Sequence, residues 1–364
     1  MTPCIHFGVC GGCALQHLSP EDYGAAKRKI VTDALARVGL GDVVVEEPVI
    51  VPPRSRRRAV FKFGKTASGI DIGFHAAKSH AIVDMRECLV LTSGLFDLAQ
   101  FLRGALMSLL HNGEKGEVHV TEAANGFDIA FRMARKLTPS LLAELAKGLK
   151  GSGIARATFN NETVFEQAKP QIAFGVAHVT VPPHAFLQAT AEGEGALRDK
   201  VLALMAGAKI VADLFAGLGT FTLPLAARAR VHAVEQDGEA LQALAAAART
   251  AKGLKPVTTE KRDLFKLPLT PLELKPYDAV VLDPPRAGAE AQVRALAASA
   301  VPRIAYVSCD AASFARDAVL LVQAGFTPRP VTPIDQFLFS GHIELVAGFS
   351  RNAPRSGSPS ARRA

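Results

Sequence analysis

The hydrophobic pattern of the second half of the chain is that of buried parallel strands separated by helices. Short, mostly apolar runs recur there, and Ala-rich stretches with helical spacing lie between them. Strands that are apolar on both faces are typical of a parallel sheet covered by helices on both sides. The pattern therefore predicts a Rossmann-like α/β domain with a mostly parallel sheet over residues 182–350. Its strands are expected at 210–215, 231–235, 279–283 and 304–308, and its clearest helices at 238–252 and 311–324.

The region before this domain is rich in strand patterns. Segments 59–64 and 70–74 flank a Gly/Ser turn and predict a β-hairpin. Two stretches with helical spacing, 91–110 and 138–149, interrupt the strands. We therefore expect a smaller α+β domain over residues 46–181, and we expect it to contact RNA.

The two ends of the chain carry different patterns. Residues 1–45 combine a Cys/Gly-rich opening with a helix, for which Ser19 suits the N-cap, Pro20 the first helical position and Gly39 the C-terminal end. Residues 351–364 are rich in Ser, Arg and Pro, and we expect them to form a disordered basic tail.

Composition indicates a folded protein with an anionic partner. Of the 364 residues, 49% are hydrophobic and 21% are charged, which excludes wholesale disorder. The 42 Lys and Arg against 34 Asp and Glu leave a net charge of +8, which favours nucleic acid as the partner. No apolar run reaches the roughly 18 residues of a membrane span, and no secretory signal is visible. We therefore expect no membrane contact, no obligate protein partner and a cytoplasmic location.

The first candidate site follows the first strand of the α/β domain. Asp213 lies near the end of this strand, and Gly217 and Gly219 follow before a predicted helix. Glycines let a ligand approach the backbone closely, and Glu235 after the second strand can accept both ribose hydroxyls. The third glycine of the dinucleotide fingerprint is replaced by Thr222, which disfavours NAD. We therefore predict that S-adenosylmethionine binds here, because it has a ribose but no phosphate.

Three further residues of this domain suit a covalent methyl transfer. Asp283 opens an Asp-Pro-Pro-Arg turn, which is rigid enough to hold an acid beside a planar substrate. Cys309 follows the fourth strand near a predicted helix N-terminus, where we expect a stabilised thiolate. A thiolate that adds to C6 of uracil makes C5 able to accept a methyl group. A base must then remove the C5 proton, and Glu344 is the best candidate by position. The alternative for Cys309 is a buried structural role.

The other four cysteines have the spacing of a metal site. Cys4, Cys10 and Cys13 lie close together, and Cys88 follows in the central domain. A total of five cysteines is odd and argues against a disulfide framework. Four thiolates suit either zinc or a [4Fe–4S] cluster, and the spacing alone does not distinguish them.

A basic run on the predicted hairpin extends from Arg54 to Lys65 without an acidic residue. Such a run is often only a solvated face. In a chain with a positive net charge we predict instead a surface that contacts RNA phosphates. The predicted contacts are Arg54, Arg56, Arg57, Arg58 and Lys62.

Together these motifs resemble those of the RNA uracil-5-methyltransferases. The resemblance runs from Cys4 to about Phe349, with the motifs in the family's order, and it implies a class I methyltransferase domain. It also implies S-adenosylmethionine as donor, a [4Fe–4S] cluster rather than zinc, and 5-methyluridine in structured RNA as product. The segments that carry it are 4–17, 79–84 with Cys88, 213–220, 283–286, 308–309 and 342–344.

The same resemblance implies the residues of the cofactor site. In the family's pattern this site is lined by Gln188, Phe215, Gly217, Glu235 and Asp283, with Asp263 near the adenine. The chain departs from the pattern at three places, which concern fine contacts with the substrate. Asp310-Ala311 replaces Asn-Pro, Leu338-Phe339-Ser340 replaces Pro-His-Thr, and Thr220 replaces an asparagine.

The cysteines begin too early for the N-terminal RNA-binding barrel that some members of the family carry. This is similar to the shorter ribosomal RNA enzymes, so 23S rRNA is the expected substrate and tRNA the alternative.

Two other functions compete with this interpretation. A methyltransferase for cytosine C5 typically uses two cysteines, and only Cys309 lies in this domain. An amino-directed enzyme needs no cysteine and favours an aromatic residue where this chain has Arg286. A non-catalytic RNA-binding module would not need both Cys309 and Glu344.

Overall fold

Two large β-sheets organise the chain, one from each half of the sequence. The computed structural model describes residues 4–136 and 138–351. Its helices are α1 (Pro20–Arg37), α2 (Ser93–Met107), α3 (Pro139–Gly148), α4 (Ala191–Leu204), α5 (Thr222–Ala226), α6 (Gly238–Thr250), α7 (Glu290–Ala297) and α8 (Ala311–Gln323). The strands of the first half are β1 (Val49–Ile50), β2 (Arg58–Thr66), β3 (Gly69–His75), β4 (Ile82–Asp84), β5 (Lys115–Ala123), β6 (Gly126–Met133), β7 (Ile154–Phe159), β8 (Glu162–Glu166), β9 (Gln171–Phe174) and β10 (Ala177–Thr180). Those of the second half are β11 (Ile210–Leu214), β12 (Arg230–Glu235), β13 (Val257–Lys261), β14 (Ala279–Leu282), β15 (Arg303–Ser308), β16 (Thr327–Pro328), β17 (Thr332–Asp335) and β18 (Glu344–Ser350).

The nine-stranded sheet confirms the predicted Rossmann-like fold. Its order is β13-β12-β11-β14-β15-β18-β17-β1, with β16 also paired to β18. The five strands from β13 to β15 are parallel, whereas β18 runs antiparallel to both β15 and β17. The chain proceeds from β11 outward to β13 and then returns to place β14 on the other side of β11. The strand order therefore reverses at β11. Such sheets bind ligands at this point, next to the carboxyl ends of the strands.

Both faces of this sheet are covered, as the apolar runs required. Helices α1, α7 and α8 pack on one face, and α4 and α5 pack on the other. Strand β14 shows the consequence, since all four of its residues are buried. Full burial of such a side chain contributes about 1.5–3 kcal/mol, so the central strands are the most stable part of this half.

The seven-stranded sheet belongs to the central α+β region. Its order is β4-β3-β2-β5-β6-β7-β8, and its pairs are antiparallel except β6 with β7. Helices α2 and α3 cover one face, where Leu95, Leu102 and Leu145 pack around Phe61 and Phe63. The alternation of buried and exposed residues along β2 places Lys62 on the other face.

The small hairpin β9–β10 packs away from the seven-stranded sheet. Ile172, Phe174 and Val179 form a cluster with Ala240 and Ala247 of α6. The boundary between residues 181 and 182 stays a prediction, and this packing leads us to propose that the hairpin belongs with the nine-stranded sheet.

The expected tail over 351–364 lies outside the described residues except for Arg351, which donates to the carbonyl of Val301 at 3.1 Å. Within the described chain, no helix is both long enough and apolar enough to cross a membrane.

A buried ion pair joins α1 to the far end of the sequence. Lys27 and Asp335 are both fully inaccessible, and Nζ lies 2.8 Å from Oδ1. Nζ also donates to the carbonyls of His342 and Phe337, at 2.6 and 3.3 Å. The hydroxyl of Tyr23 donates to the other oxygen of Asp335. Because every polar group has a partner, this pair holds the loop between β17 and β18 against α1.

We predict that Lys27→Ala lowers the free energy of unfolding by about 3–5 kcal/mol, because it leaves the carboxylate of Asp335 buried without its cation. Urea denaturation followed by circular dichroism measures the loss. The control is Lys29→Ala, which removes an exposed pair with Asp33 on the same helix and should cost about 0.5 kcal/mol or less. Equal losses for the two variants would contradict the anchoring role of Lys27.

Candidate active site

The glycine-rich turn after β11 is a backbone cradle at the switch point of the sheet. Phe215, Gly217 and Gly219 have φ angles of 64°, 54° and 94°, which few side chains tolerate. A Cβ at Gly219 would approach the side chain of Leu244 to 3.0 Å, so helix α6 packs directly on the turn. A Cβ at Gly217 would meet no atom within 4 Å, so a ligand can approach the backbone there.

Glu235 is held beside this turn by backbone amides. Its Oε2 accepts from the amide of Gly217 at 3.0 Å. Its Oε1 accepts from the amides of Gln236 and Asp237, at 2.7 and 2.9 Å. A carboxylate in this geometry is fixed in place, and of its roughly four lone pairs one, on Oε2, stays available for a ligand hydroxyl. The structure therefore brings Glu235 and the glycine turn together.

Asp213 lies beneath the turn and is fully buried. Thr222 donates to its Oδ2 at 2.5 Å, while Oδ1 has no hydrogen-bond partner. Burial is the main cause that raises the pKa of Asp213 to about 7, and the charge of Glu235 adds to it. An unpaired buried carboxylate oxygen is costly, so this site favours a ligand that brings a positive charge.

Two aromatic side chains stand on the far side of the turn. The rings of Phe215 and Phe265 are 5.4 Å apart at a tilt of 57°. Asp263 precedes Phe265, and its Oδ1 accepts from the amide of Phe265 at 3.0 Å. The two rings suit contact with a flat ring system of a ligand, and the carboxylate of Asp263 lies next to Phe265.

The antiparallel register of β18 brings the candidate nucleophile and base together. Ser308 pairs with Leu345 at the end of the ladder, and the residues that continue from this pair are Cys309 and Glu344, which are close enough for the charge of Glu344 to act on the thiol. Asp283 directly follows the neighbouring strand β14, and its charge acts on both of these groups. The structure therefore brings together three groups from three separate strands, all at the edge that carries the glycine turn.

The electrostatics of this cluster keep its acids partly protonated near neutral pH. Burial raises the pKa of Glu344 to about 8, with a further contribution from Asp283. Burial also raises the pKa of Asp283 to about 7, with contributions from Asp213 and Glu235. Such shifts are typical of catalytic sites, where like charges are held close together in a dry cleft.

The expected thiolate at Cys309 is wrong for the ligand-free site. Burial, followed by the charges of Glu344 and Asp283, raises the pKa of the Cys309 thiol to about 11. Helix α8 begins at Ala311, but Asp310 caps it by accepting from the amide of Ser313 at 2.8 Å. Arg286 lowers the pKa but does not outweigh burial. An additional positive charge is needed before the thiol ionises.

Gln188 lies close to this cluster but was predicted only through the family resemblance. It is buried, and its Oε1 accepts from Nε2 of Gln336 at 2.6 Å. Gln336 also donates to Oε1 of Glu344 at 3.2 Å. The sequence analysis missed Gln336. The available signal was its position directly after strand β17, eight residues before Glu344.

The predicted basic surface is divided by the structure. Arg54 is exposed, whereas Lys62 is paired with Glu117. Arg57 is paired with Glu194 at 2.6 Å, and both side chains are almost inaccessible. The prediction of a single basic RNA surface is therefore wrong at Arg57. Its guanidinium neutralises the buried carboxylate of Glu194 and is not exposed to a phosphate.

The two neighbours of Arg57 are also largely engaged within the protein. Arg56 donates to the carbonyl of Arg58 at 2.8 Å. The guanidinium of Arg58 donates to the carbonyl of Leu187 and lies 4.8 Å from the ring centre of Phe186. RNA contact by Arg54, Arg56, Arg58 and Lys62 stays a prediction.

The four remaining cysteines line one cavity of about 480 Å³. Backbone amides donate to two of the sulfur atoms, from His6 to Cys4 and from Gly12 to Cys10. The cavity also reaches Arg286 and His342, so it opens toward the active site. The cysteines that converge on it are Cys4, Cys10, Cys13 and Cys88.

Within the described residues, no three His, Cys, Asp or Glu side chains are grouped as ligands of one metal ion. Burial raises the pKa of Cys13 to about 11, with contributions from the other three cysteines of the cavity. Four thiolates therefore need a cationic group between them.

Comparisons with known proteins show the family of this chain. The family model for tRNA (uracil-5-)-methyltransferase matches residues 184–351. An uncharacterized RNA methyltransferase of Rhizobium meliloti is 46% identical, over 95% of this chain and 84% of that protein. A 23S rRNA (uracil(1939)-C(5))-methyltransferase, RlmD, of Thiobacillus denitrificans is 32% identical, over 96% of this chain and 85% of that protein.

The fold is also that of a solved structure. The Pyrococcus abyssi tRNA (uracil-54, C5)-methyltransferase, in complex with S-adenosyl-L-homocysteine, superposes with a TM-score of 0.72. The match covers 93% of this chain and 84% of that one, at 22% sequence identity. With relatives of this similarity and coverage, the chain belongs to the RNA uracil-5-methyltransferase family.

Proposed function

We propose that this enzyme transfers a methyl group from S-adenosylmethionine to C5 of a uridine in structured RNA. In this proposal Cys309 is the nucleophile and Glu344 is the base. The observation that carries it is the register of β15 and β18, which ends at the pair Ser308–Leu345 and so leaves Cys309 close enough to Glu344 for the charge of Glu344 to act on the thiol. A thiol and a carboxylate on adjacent strands can act on adjacent atoms of one planar base.

The chemistry requires each bond to form and break in order. The Cys309 thiol gives its proton to solvent, and the thiolate adds to C6 of uracil, so that the π electron pair of the C5–C6 double bond moves toward O4. C5 then attacks the methyl carbon, and the sulfonium leaves as the neutral thioether. Glu344 takes the proton from C5, and the electron pair of that bond expels the sulfur of Cys309. The products are 5-methyluridine, free thiolate and a protonated base.

The acids of the site suit a sulfonium donor. Asp213, Glu235 and Asp283 are negative when ionised, and mutual repulsion helps to hold the pKa values of Asp213 and Asp283 near 7. A ligand with a fixed positive charge relieves this repulsion and also favours the Cys309 thiolate. Glu235 suits a ribose hydroxyl, and Asp263 with Phe215 and Phe265 suits the adenine.

The target base must leave its stack, because C5 and C6 have to be reached from opposite sides. Cys309 and Glu344 lie in the recessed edge of the sheet, which a base within a duplex does not enter.

We propose that the four cysteines hold a [4Fe–4S] cluster rather than a single zinc ion. Four thiolates suit either group, and the family resemblance favours the cluster. A cluster sets four irons and four sulfides between its ligands, and the cysteines converge on a cavity of about 480 Å³. When bound, the cluster would neutralise the thiolates and tie residues 4–13 to the loop of Cys88.

We predict that Cys309→Ala lowers methyl transfer by more than about a thousandfold, or about 4 kcal/mol of barrier, because no group then activates C5. Glu344→Gln should lower turnover by about 10²–10⁴-fold, because the base is lost while the nucleophile stays. It should also accumulate an RNA–protein adduct on denaturing gels, as 5-fluorouridine RNA should with the wild-type enzyme.

Glu290→Gln is the control, since Glu290 is an acid on helix α7 paired with Arg294 and outside the site. Full activity of Cys309→Ala, or failure of 5-fluorouridine RNA to trap active wild-type enzyme, would contradict the covalent mechanism.

We propose 23S rRNA as the substrate, supported by the relative that carries this activity in its name. RNA from a deletion strain should lack one 5-methyluridine in 23S rRNA, and mass spectrometry of RNA fragments measures this. Loss of the modification from tRNA, with 23S rRNA unchanged, would instead favour the activity named for the Pyrococcus abyssi enzyme.

We predict that anaerobically purified protein contains about four iron and four sulfide per chain. Cys88→Ala should lose most of the iron, because it removes one of the four ligands. Cys309→Ala should keep it, because Cys309 lies outside the cysteine-lined cavity. Metal and sulfide analysis measures both, and stoichiometric zinc without iron would contradict the cluster.

A further inference from the structure

Gln336 uses its whole carboxamide inside the protein. Its oxygen accepts from the backbone amides of Ala189 and Thr190, at 2.9 and 3.4 Å. Its nitrogen donates to Oε1 of Gln188 at 2.6 Å and to Oε1 of Glu344 at 3.2 Å. The side chain is only 1% exposed, so no solvent competes for these four bonds.

The backbone decides which way this carboxamide faces. Amide N–H groups only donate, so the two amides of Ala189 and Thr190 require the oxygen of Gln336 on their side. The nitrogen is then forced toward Gln188 and Glu344. The carboxamide of Gln336 therefore presents its amino group, a donor, to Gln188 and Glu344.

The first turn of α4 is shaped around Gln336. A Cβ at Gly193 would lie 2.7 Å from Cβ of Gln336 and 2.8 Å from the hydroxyl of Thr190. That hydroxyl caps α4 by accepting from the amide of Gly193 at 2.9 Å. The small residue thus lets helix α4 approach Gln336 closely, and the packing leaves it little freedom to rotate.

The orientation of Gln336 also sets that of Gln188. Because Gln336 donates, Gln188 must present its oxygen to it, and the amino group of Gln188 stays available to the ligand. The backbone at Gln188 is held as well. Arg57 donates to the carbonyl of Gln188 at 3.2 Å, and Arg58 donates to the carbonyl of Leu187. Gln188 is therefore fixed as a donor toward an oxygen of the ligand.

We propose that Gln336 is a positioning residue of this enzyme, which holds Glu344 in reach of the substrate and fixes Gln188 as a hydrogen-bond donor. The inference rests on the proposed function of Glu344 as the base. It adds a residue that touches neither substrate nor cofactor, and it makes one carboxamide responsible for the placement of two site residues.

The proposal has a consequence for pH dependence. The hydrogen bond from Gln336 stabilises the ionised carboxylate, so its loss raises the pKa of Glu344. The other charged groups that face Glu344 are Asp283, Arg286 and the thiol of Cys309. A base works only when it is ionised, so a higher pKa moves the rising limb of the rate profile to higher pH.

The test is Gln336→Glu, which keeps the acceptors for Ala189 and Thr190 and replaces the donor group by an oxygen. Turnover at pH 7 should fall at least about tenfold and the rising limb should shift upward by at least about one pH unit, because the hydrogen bond to Glu344 is lost and a second carboxyl group then faces it at close range. Adduct formation with 5-fluorouridine RNA should stay close to wild type, because that step needs Cys309 but not the base.

The matched control is Gln292→Glu. Gln292 is fully buried and bonds on both sides to the backbone of Leu269, at 2.8 and 3.2 Å, outside the site. An unshifted pH profile for Gln336→Glu, or an equal shift for Gln292→Glu, would overturn the proposal.

A second measurement needs no RNA. The infrared difference spectrum between wild type and Glu344→Gln reports the titration of Glu344 when Gln336 is present. The difference spectrum between Gln336→Met and Gln336→Met/Glu344→Gln reports the same titration without Gln336. The pKa of Glu344 should be about one unit higher without Gln336. An unchanged pKa would overturn the positioning role even if the protein methylates RNA. Failure of wild-type enzyme to form an adduct, with the pKa shift present, would count only against the proposed function.

Discussion

Antiparallel pairing of β18 with β15 is the constraint on which the active site depends. In a purely parallel sheet, the beginning of a strand lies at the edge opposite to the ends of its neighbours. Since β18 runs the other way, its first residue, Glu344, lies at the edge where Asp283 and Cys309 directly follow β14 and β15. Reversal of one strand thus places an acid beside a thiol that precedes it by 35 residues.

The loop that enters β18 is fixed from three directions. Lys27 and Tyr23 of α1 bind Asp335 and the carbonyls or amides that follow it. Gln336 bonds to the segment before α4 and to Glu344. The carbonyl of Phe339 accepts from the amides of Ala14 and Leu15, at 2.7 and 3.0 Å, directly after the cysteine motif. The N-terminal segment and Glu344 are therefore attached to the same loop.

Electrostatic repulsion among acidic groups is built into the site. Several carboxyl groups with raised pKa values surround a thiol whose own pKa is about 11. A sulfonium ion adds the charge that this set lacks, and its loss as a thioether restores the repulsion. The acids therefore favour binding of the charged donor over its neutral product, which promotes product release.

The sequence by itself determined the elements and the chemistry of the strand ends. Continuous apolar runs predicted β11, β12, β14 and β15 within a residue or two, because a parallel sheet covered on both faces needs such runs. The Cys and Gly motifs indicated candidate site residues, since thiols and flexible turns are recognisable without a fold.

Only the tertiary structure decided what each charge does. The run at residues 54–65 has the composition of an RNA surface, yet Arg57 pairs with the buried Glu194, which lies 137 residues away. Lys27 and Gln336 are not distinctive in the sequence. Lys27 pairs with Asp335 far along the chain, and Gln336 is oriented by buried backbone amides such as that of Ala189. The pKa of Cys309 was likewise beyond the sequence, because desolvation and neighbouring charges are properties of the folded site and not of a motif.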